Sequence, residues 1–315
     1  MSWSGKDDAL LMADDFDFSV ASLESPATPE VLGLIDEVMG PGHDSSWFEW
    51  KHRDNPAGPS LAWVASDDRG LVGVRLFMRW DLVRGDSRLA ALRPVDTVTA
   101  PRARRRGVFS ALVRTALRSI PESGASLVFN TPNMNSREGY RRLGWTLMEP
   151  ITHVARVVSP LGARSRLATG REVLSAFDHA RAADARIRTE RTAGYARWRY
   201  DDRSGRSYSF AALEESDLPN AIVYRVVEAR ARILVVEDIV GTPAARKALV
   251  GAAARSERAL LALDTGGVGG HGDASRLSVR RGSSVVAVLP IGELEPDVTS
   301  VASWSLTLGD VEDVI

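Results

Sequence analysis

The sequence predicts an α/β chain, α+β in character, arranged as two tandem domains of helix-flanked sheet. Three observations predict it. Runs with the two-residue alternation of strands are interleaved with runs of helical spacing along the whole chain. The length of 315 residues corresponds to two domains at roughly 150 residues each. The order of helix, strands, helix and strand found before residue 158 returns after residue 171, although no convincing residue repeat joins the halves.

Taken in order, residues 1–15 read as a loose acidic tail, and Phe16–Leu23 alternates as a first strand should. Thr28 opens a helix with a hydroxyl cap, a proline in its first turn and Gly40 at its end. Asp44–Arg53 (DSSWFEWKHR) predicts a second short helix stopped by Asn55-Pro56. Strands follow at Ser60–Ser66 and Leu71–Val83 about a turn at Asp67–Gly70. A turn at Arg84–Asp86 leads to a central strand, Leu89–Val98. A helix from about Arg105 to Ser119, a strand at Ser126–Asn130, a helix from about Asn135 to Leu143 and strands through about Val158 complete the first domain, residues 16–158. Residues 159–170 (SPLGARSRLATG) read as a linker. The second domain, 171–315, has a helical region at Thr192–Tyr200 and strands at Arg206–Glu215, Asn220–Ala229 and Arg232–Val240. A helix at Pro243–Arg258 and strands at Ala259–Leu263 and Ser283–Ile291 follow. Gly266–Asp273 (GGVGGHGD) reads as a plain loop, because no G-K-[ST] follows its glycines.

Composition narrows the chemistry. The chain has no cysteine, which removes disulfides, thiol nucleophiles and Cys-based metal sites. Its histidines, at 43, 52, 153, 179 and 271, have no metal-ligand spacing. No run approaches the ~18 apolar residues of a membrane span, and the N-terminus has acids where a signal peptide carries bases. A soluble, cytoplasmic protein without a membrane partner is expected. The formal net charge is −1, and of 40 basic residues 37 are arginine, with lysine at 6, 51 and 247 alone. Base composition of the genome explains most of that excess. The near-zero balance argues against a nucleic-acid partner.

One cluster is not averaged out. In Val95–Ser119 (VDTVTAPRARRRGVFSALVRTALRS) a strand ends at Ala100-Pro101, and an arginine-dense turn enters an amphipathic helix with Val108, Leu112, Val113 and Leu117 on its apolar stripe. Arginines 102, 104, 105, 106, 114 and 118 have no acid among them. A helix start offers unpaired N–H groups and partial positive charge, and guanidinium groups bind phosphates bidentately. Gly107 permits close approach of an anion to the backbone. The same residues also fit an arginine-rich solvated face.

Here the sequence resembles the GCN5-related N-acetyltransferase (GNAT) superfamily, whose coenzyme A pyrophosphate turn is V-x-P-x-x-R-x-x-G-x-G/A. This chain reads Val98-Thr99-Ala100-Pro101-Arg102-Ala103-Arg104-Arg105-Arg106-Gly107-Val108-Phe109. It departs at Phe109, where many members have glycine or alanine. An Arg-Gly-Val-Phe-Ser variant is associated with one bacterial branch. A second match, Asn133 through Ser136 and Tyr140 to Gly144-Trp145, fits N-x-x-[AS]-x-x-x-Y-x-x-x-G-[FW]. The run at 47–58 and Trp304–Asp310 (W-x-x-x-x-G-D) also resemble tandem-domain bacterial members.

The resemblance implies a mixed, mostly antiparallel sheet flanked by helices and an acetyl-CoA-dependent N-acetyltransferase that works by direct transfer in a ternary complex, with no metal. It implies cofactor contacts at Val98, Thr99, Arg104, Arg105, Arg106, Gly107, Val108, Phe109, Ser110, Asn133 and Ser136. It implies that Tyr140 is the general acid. A phenol suits that role, its pKa of roughly 10 lying above a thiol's roughly 8.5. The amine must lose a proton to a base or a water relay, and Asp96 is the first candidate, with Glu49 and His52 behind it. Asp96 lies two residues before Val98, which places both on one strand face. The acceptor is a primary amine of a small molecule or peptide. Trp47, Trp50, Trp63, Trp198 and Tyr200 fit either an acceptor wall or ordinary core. A homodimer is compatible with this reading. The C-terminal half has Val240-Gly241-Thr242-Pro243-Ala244-Ala245-Arg246 where a second turn belongs, which implies a degenerate half without acetyl-CoA. Two other classes compete: an aminoacyl-tRNA-dependent transferase of tandem GNAT-like fold, and a non-catalytic phosphate or nucleic-acid binder.

Overall fold

The structure, a computed structural model, describes residues 17–24, 27–158, 165–179, 185–265, 278–292, 294 and 298–311. The acidic tail, most of the linker and the Gly266–Asp273 loop lie outside the described residues. Strands are β1 (Ser19–Ser22), β2 (Leu61–Asp67), β3 (Gly70–Arg84), β4 (Ser87–Thr99), β5 (Leu127–Asn130), β6 (Thr146–Leu147), β7 (Ile151–Val157), β8 (Leu167–Thr169), β9 (Ile187–Thr189), β10 (Ser209–Leu213), β11 (Ala221–Glu228), β12 (Arg232–Val240), β13 (Leu261–Thr265), β14 (Ser278–Ser284) and β15 (Ala287–Pro290). Helices are α1 (Pro29–Met39), α2 (Ser45–Phe48), α3 (Val108–Ser119), α4 (Met134–Arg142), α5 (Ala176–His179), α6 (Ala193–Arg199) and α7 (Pro243–Ser256).

The strands form two mixed, mostly antiparallel sheets. One runs β1-β2-β3-β4-β5-β15-β6 with β9 added on β3, and the other β14-β7-β13-β12-β11-β10-β8. The expected α/β fold of helix-flanked mixed sheet is therefore the observed one. No helix among the described residues is long and apolar enough to cross a membrane.

The chain divides into two compact units, one drawn from residues up to 54, 58–79 and 93–124, the other from 55–57, 80–92 and residues from 125 onward. In the first unit, Thr28 caps α1 by accepting the Val31 N–H, as its hydroxyl predicts. Asp44 does the same for α2 through the Trp47 N–H at 2.8 Å. That helix continues as a π-helical turn over Glu49–Arg53, a distortion frequent at functional sites. α3 buries Val108, Leu112, Val113 and Ala116, and it can lie close to β3 because Gly73 has no side chain. A Cβ there would stand 2.6 Å from Val108 and 3.0 Å from Leu112.

In the second unit, Ile222, Leu234, Leu249 and Ala253 lie in one buried cluster and Leu174, Ala196, Tyr200 and Val223 in another. A charged network centred on the buried Asp238 and Asp310 is also present. Arg191 pairs with Asp238 and Asp310, and Thr307 donates to Asp238 at 2.6 Å. Trp304, the first residue of the late W-x-x-x-x-G-D run, is fully buried, with its indole N–H donating to the Val298 carbonyl at 2.8 Å. The motif is thus a packing device.

The strand expected at Ser283–Ile291 falls between two sheets: its first residues end β14 and its last form β15. β8, β9 and most of β14 had no sequence signal. The structure also uncovers a residue repeat that inspection of the sequence missed. β4 and β5 are parallel and bracket α3, and β12 and β13 are parallel and bracket α7. Each leading strand carries Asp-x-Val-x-x-Pro, namely Asp96-x-Val98-x-x-Pro101 and Asp238-x-Val240-x-x-Pro243. Both aspartates are buried. Each is met by the third residue of an earlier Trp-[Lys/Arg]-[His/Tyr] run: His52 Nε2 lies 3.0 Å from Asp96, and the Tyr200 hydroxyl donates to Asp238.

Candidate active site

The segment expected to hold the pyrophosphate forms a turn at the end of β4. Ala100 N–H donates to the Val72 carbonyl at 2.9 Å, which ties the exit of the strand to β3. Pro101–Ala103 make one 3₁₀ turn. Arg105 and Gly107 then take left-handed backbone, φ 64° and 83°, and α3 begins at Val108. Thr28, Asp44, Asn133, Thr192 and Thr242 each cap their helix with a side-chain oxygen. Gly107 has no side chain to do so, and no acid stands in the first turn of α3. The N–H groups there are left to meet an external acceptor, with the helix dipole behind them.

The six arginines divide by what they touch. Arg102 donates to Asp67 at 2.6 Å and Arg106 to the same carboxylate at 3.2 Å, and Arg106 also pairs with Asp17. The Arg102 hydrogen bond holds the Asp67 carboxyl well below the usual carboxylate range. Arg104 and Arg105 remain exposed on the turn, and Arg114 and Arg118 on α3. The absence of acids between 102 and 118 in sequence is therefore offset in space, because acids from β2–β3 and from the chain start neutralise two of the cluster. Val98 and Val108 are buried, while Thr99, Phe109 and Ser110 are half-buried. Phe109 is turned toward β3: the fully buried Arg75 guanidinium lies 5.2 Å from its ring and donates to Thr97 at 3.3 Å.

Asp96 sits in β4 with φ 47°, so regular alternation does not carry through this residue to Val98, as the two-residue spacing implied. Its carboxylate meets Lys51 Nζ at 2.9 Å and His52 Nε2 at 3.0 Å. His52 Nδ1 in turn lies 3.0 Å from Ser60 Oγ, and the Lys51 ammonium lies 5.2 Å over the Trp47 ring. Burial alone would push the Asp96 carboxyl up, but Lys51 and His52 outweigh it and hold the group well below the usual range. A carboxylate held this way is a weak proton acceptor at neutral pH. Glu49 is exposed and stands 3.8 Å from Arg53. Of the five aromatics considered for an acceptor wall, Trp50, Trp63, Trp198 and Tyr200 are buried core residues and only Trp47 is partly accessible.

In the second unit, Asn133 caps α4, its Oδ1 accepting the Ser136 N–H at 3.0 Å, and Ser136 Oγ donates back to it at 3.1 Å. Tyr140 is buried and packs edge-on against Trp145 with ring centroids 4.7 Å apart. Its hydroxyl oxygen accepts from Asn130 Nδ2 at 2.7 Å. Asn130 and Lys51 were not anticipated. Their roles rest on contacts 10 and 45 residues away, which no local pattern reveals.

A helix with an open, arginine-flanked start thus links two parallel strands of a mixed sheet, an arrangement suited to an anion. Residues 20–148 match the model of the acetyltransferase (GNAT) domain. Those residues therefore carry a GNAT domain, of a kind that generally uses acetyl-CoA. No curated protein matches the chain in sequence. Among solved structures, it is similar to a probable N-acyltransferase from Enterococcus faecalis V583 (TM-score 0.68, 13% identity), covering 87% of this chain and 72% of that one. It is also similar to a GCN5-related N-acetyltransferase from Anabaena variabilis ATCC 29413 (TM-score 0.63, 15% identity, 86% and 72%). Eis1 from Mycobacterium abscessus is a third (TM-score 0.60, 18% identity, 87% and 73%). At these identities the likeness is one of fold.

Proposed function

We propose that the chain is an acetyl-CoA-dependent N-acetyltransferase that moves an acetyl group to a primary amine of a small molecule or peptide. The observation that carries this reading is the uncapped start of α3 with Gly107 left-handed and Arg104 and Arg105 exposed beside it. Acetyl-CoA, when bound, supplies the activated acyl group and a thiolate leaving group. The chain's own parts follow. The first N–H groups of α3 and the Arg104 and Arg105 guanidiniums hold the pyrophosphate. Val98, Thr99, Val108, Phe109 and Ser110 frame the turn, and Arg106, joined to Asp67 and Asp17, stiffens it. The Asn133 amide, with its oxygen used as a cap, presents its NH₂ end to the cofactor arm beside Ser136. Tyr140 gives its proton to the departing thiolate. Asp96 braces the strand end through Lys51 and His52, and the amine's proton passes to solvent instead of to this carboxylate.

The C-terminal half is assigned no second acetyl-CoA site. Thr242 caps α7 through the Ala245 N–H at 3.2 Å, so a side chain already occupies the helix start that lies open in α3. A cytoplasmic setting suits a cysteine-free chain that draws on an acetyl-CoA pool.

Acetyl-CoA should raise the melting temperature, and Arg104→Ala with Gly107→Glu should abolish the rise. Free-thiol release from acetyl-CoA with a panel of amines (an aminoglycoside, an amino sugar, a polyamine and a peptide with a free N-terminus) then identifies the acceptor class. No thermal shift and no thiol release with saturating acetyl-CoA would overturn the assignment.

A further inference from the structure

We propose that Asn130 is a positioning residue for proton transfer at Tyr140: it fixes the phenol oxygen as a hydrogen-bond acceptor and stabilises the phenolate left when the proton departs. This rests on the acetyl-transfer reading above and names a part of it that no motif supplies. Asn130 is the last residue of β5, in antiparallel register with Ala287 of β15, so its backbone is held by the sheet. Its side-chain oxygen accepts the Thr131 N–H at 2.8 Å. An amide whose oxygen is claimed by an N–H has its NH₂ on the other side, so the two ends are not interchangeable here. That NH₂ donates to Tyr140 Oη at 2.7 Å. A phenol oxygen that accepts in this direction sends its own hydrogen in another. The ring is confined as well, edge-on to Trp145, whose backbone N–H donates to the Tyr140 carbonyl at 3.1 Å.

The step balances as follows. The amine lone pair forms the C–N bond, and the C–S bond breaks with its electron pair on sulfur. The Tyr140 O–H bond breaks and an S–H bond forms, leaving a phenolate that accepts the Asn130 N–H. The amine's surplus proton goes to solvent, and solvent returns one to the phenolate. A hydrogen bond to an anion is stronger than one to a neutral phenol, so Asn130 favours the direction of transfer, as donors aimed at a developing oxyanion do.

Asn130→Asp keeps the shape but replaces the donor with an acceptor and turns the Tyr140 hydrogen toward itself. Asn130→Ala removes the donor without supplying an acceptor. With acetyl-CoA and the panel amine that gives the fastest thiol release, kcat should fall about 100-fold in Asn130→Asp and less in Asn130→Ala, with KM for acetyl-CoA unchanged in both. In a Tyr140→Phe background Asn130→Asp should cause no further loss. Full kcat in Asn130→Asp overturns the proposal, as do equal losses in the two variants that persist in the Tyr140→Phe background. If Asn130→Asp fails to fold, Asn130→Ala in the two backgrounds decides by the same criterion. Thiol release that is unchanged in Tyr140→Phe overturns this proposal and leaves acetyl transfer standing, whereas no release by the unmutated protein overturns both.

Discussion

Gly73→Ala tests how closely the position of the turn proposed to hold the cofactor depends on packing beneath it. The added Cβ would lie 2.6 Å from Val108 Cγ1, 3.0 Å from Leu112 Cδ1 and 3.4 Å from the Val98 carbonyl oxygen. Carbon atoms rest about 3.5–4.0 Å apart, so the first contact requires a retreat of about 1 Å. Val108 cannot rotate away cheaply, because valine is stiff at χ1 in a helix and its surroundings are filled: Val108 is 1% exposed and Leu112 0%. The start of α3 must move instead. Overpacking of this kind costs about 1–3 kcal/mol, or a drop of about 2–12 °C at the roughly 2–4 °C per kcal/mol of domains this size. A displacement of about 1 Å at a positioned group costs about 100-fold in function, so the thermal shift given by acetyl-CoA should also disappear. Gly33→Ala on α1 is the control. Nothing lies within 4 Å of its Cβ, and alanine in a helix interior is favoured over glycine by about 1 kcal/mol, so the melting temperature should rise. Thermal unfolding with and without acetyl-CoA reads all of this. A Gly73→Ala protein with the parent's melting temperature and the parent's acetyl-CoA shift would refute the packing argument.

Two further outcomes separate structure from binding in the same unit. Arg102→Ala should lower the melting temperature, because Asp67 loses its shortest partner, while Arg104→Ala should leave it unchanged and weaken the acetyl-CoA shift; the reverse pattern in the two melts would contradict the division of the cluster. Asp96→Asn strands Lys51 and His52 around a neutral amide and should cost about 3–5 kcal/mol, as loss of one partner in a buried pair does. The pH dependence follows from the same pair. Folding depresses the Asp96 pKa, so the unfolded chain, near 3.9, binds the proton first. Its contribution is complete above about pH 5 and is lost as pH falls through the range below. Denaturant unfolding of wild type between pH 6 and 3 should therefore slope more steeply than Asp96→Asn, and parallel slopes would show that Asp96 is not held as described.

Much of the fold was legible because its signals are local. Thr28 announced its helix as a cap, and β3 and β4 showed themselves by apolar alternation and the turn between them. The turn between β4 and α3 was legible for the same reason, since strand end, Pro101, arginines and Gly107 are contiguous. What sequence could not show is sheet membership and long-range charge. Nothing within Ala287–Pro290 says that it pairs with β5, and nothing in the arginine run says that Asp67 claims two of its members. Asp96 was found as an acid in the right strand. Its role depends on Lys51 and His52, which a π-helical turn delivers from far upstream. The Asp-x-Val-x-x-Pro repeat escaped notice because its few shared residues are spread over segments whose other positions differ.

That repeat gives the molecule an internal reference. In one copy the helix begins at Pro243, directly after Thr242 has closed its start. In the other, Pro101 is followed by a detour of arginines and glycine, and the helix waits until Val108. The strand, the buried aspartate and the parallel return are common to both, so they are the chassis of this junction. What sets the first copy apart is the segment from Arg102 to Gly107 ahead of an uncapped helix, and the second copy shows how the same joint is made when that segment is left out.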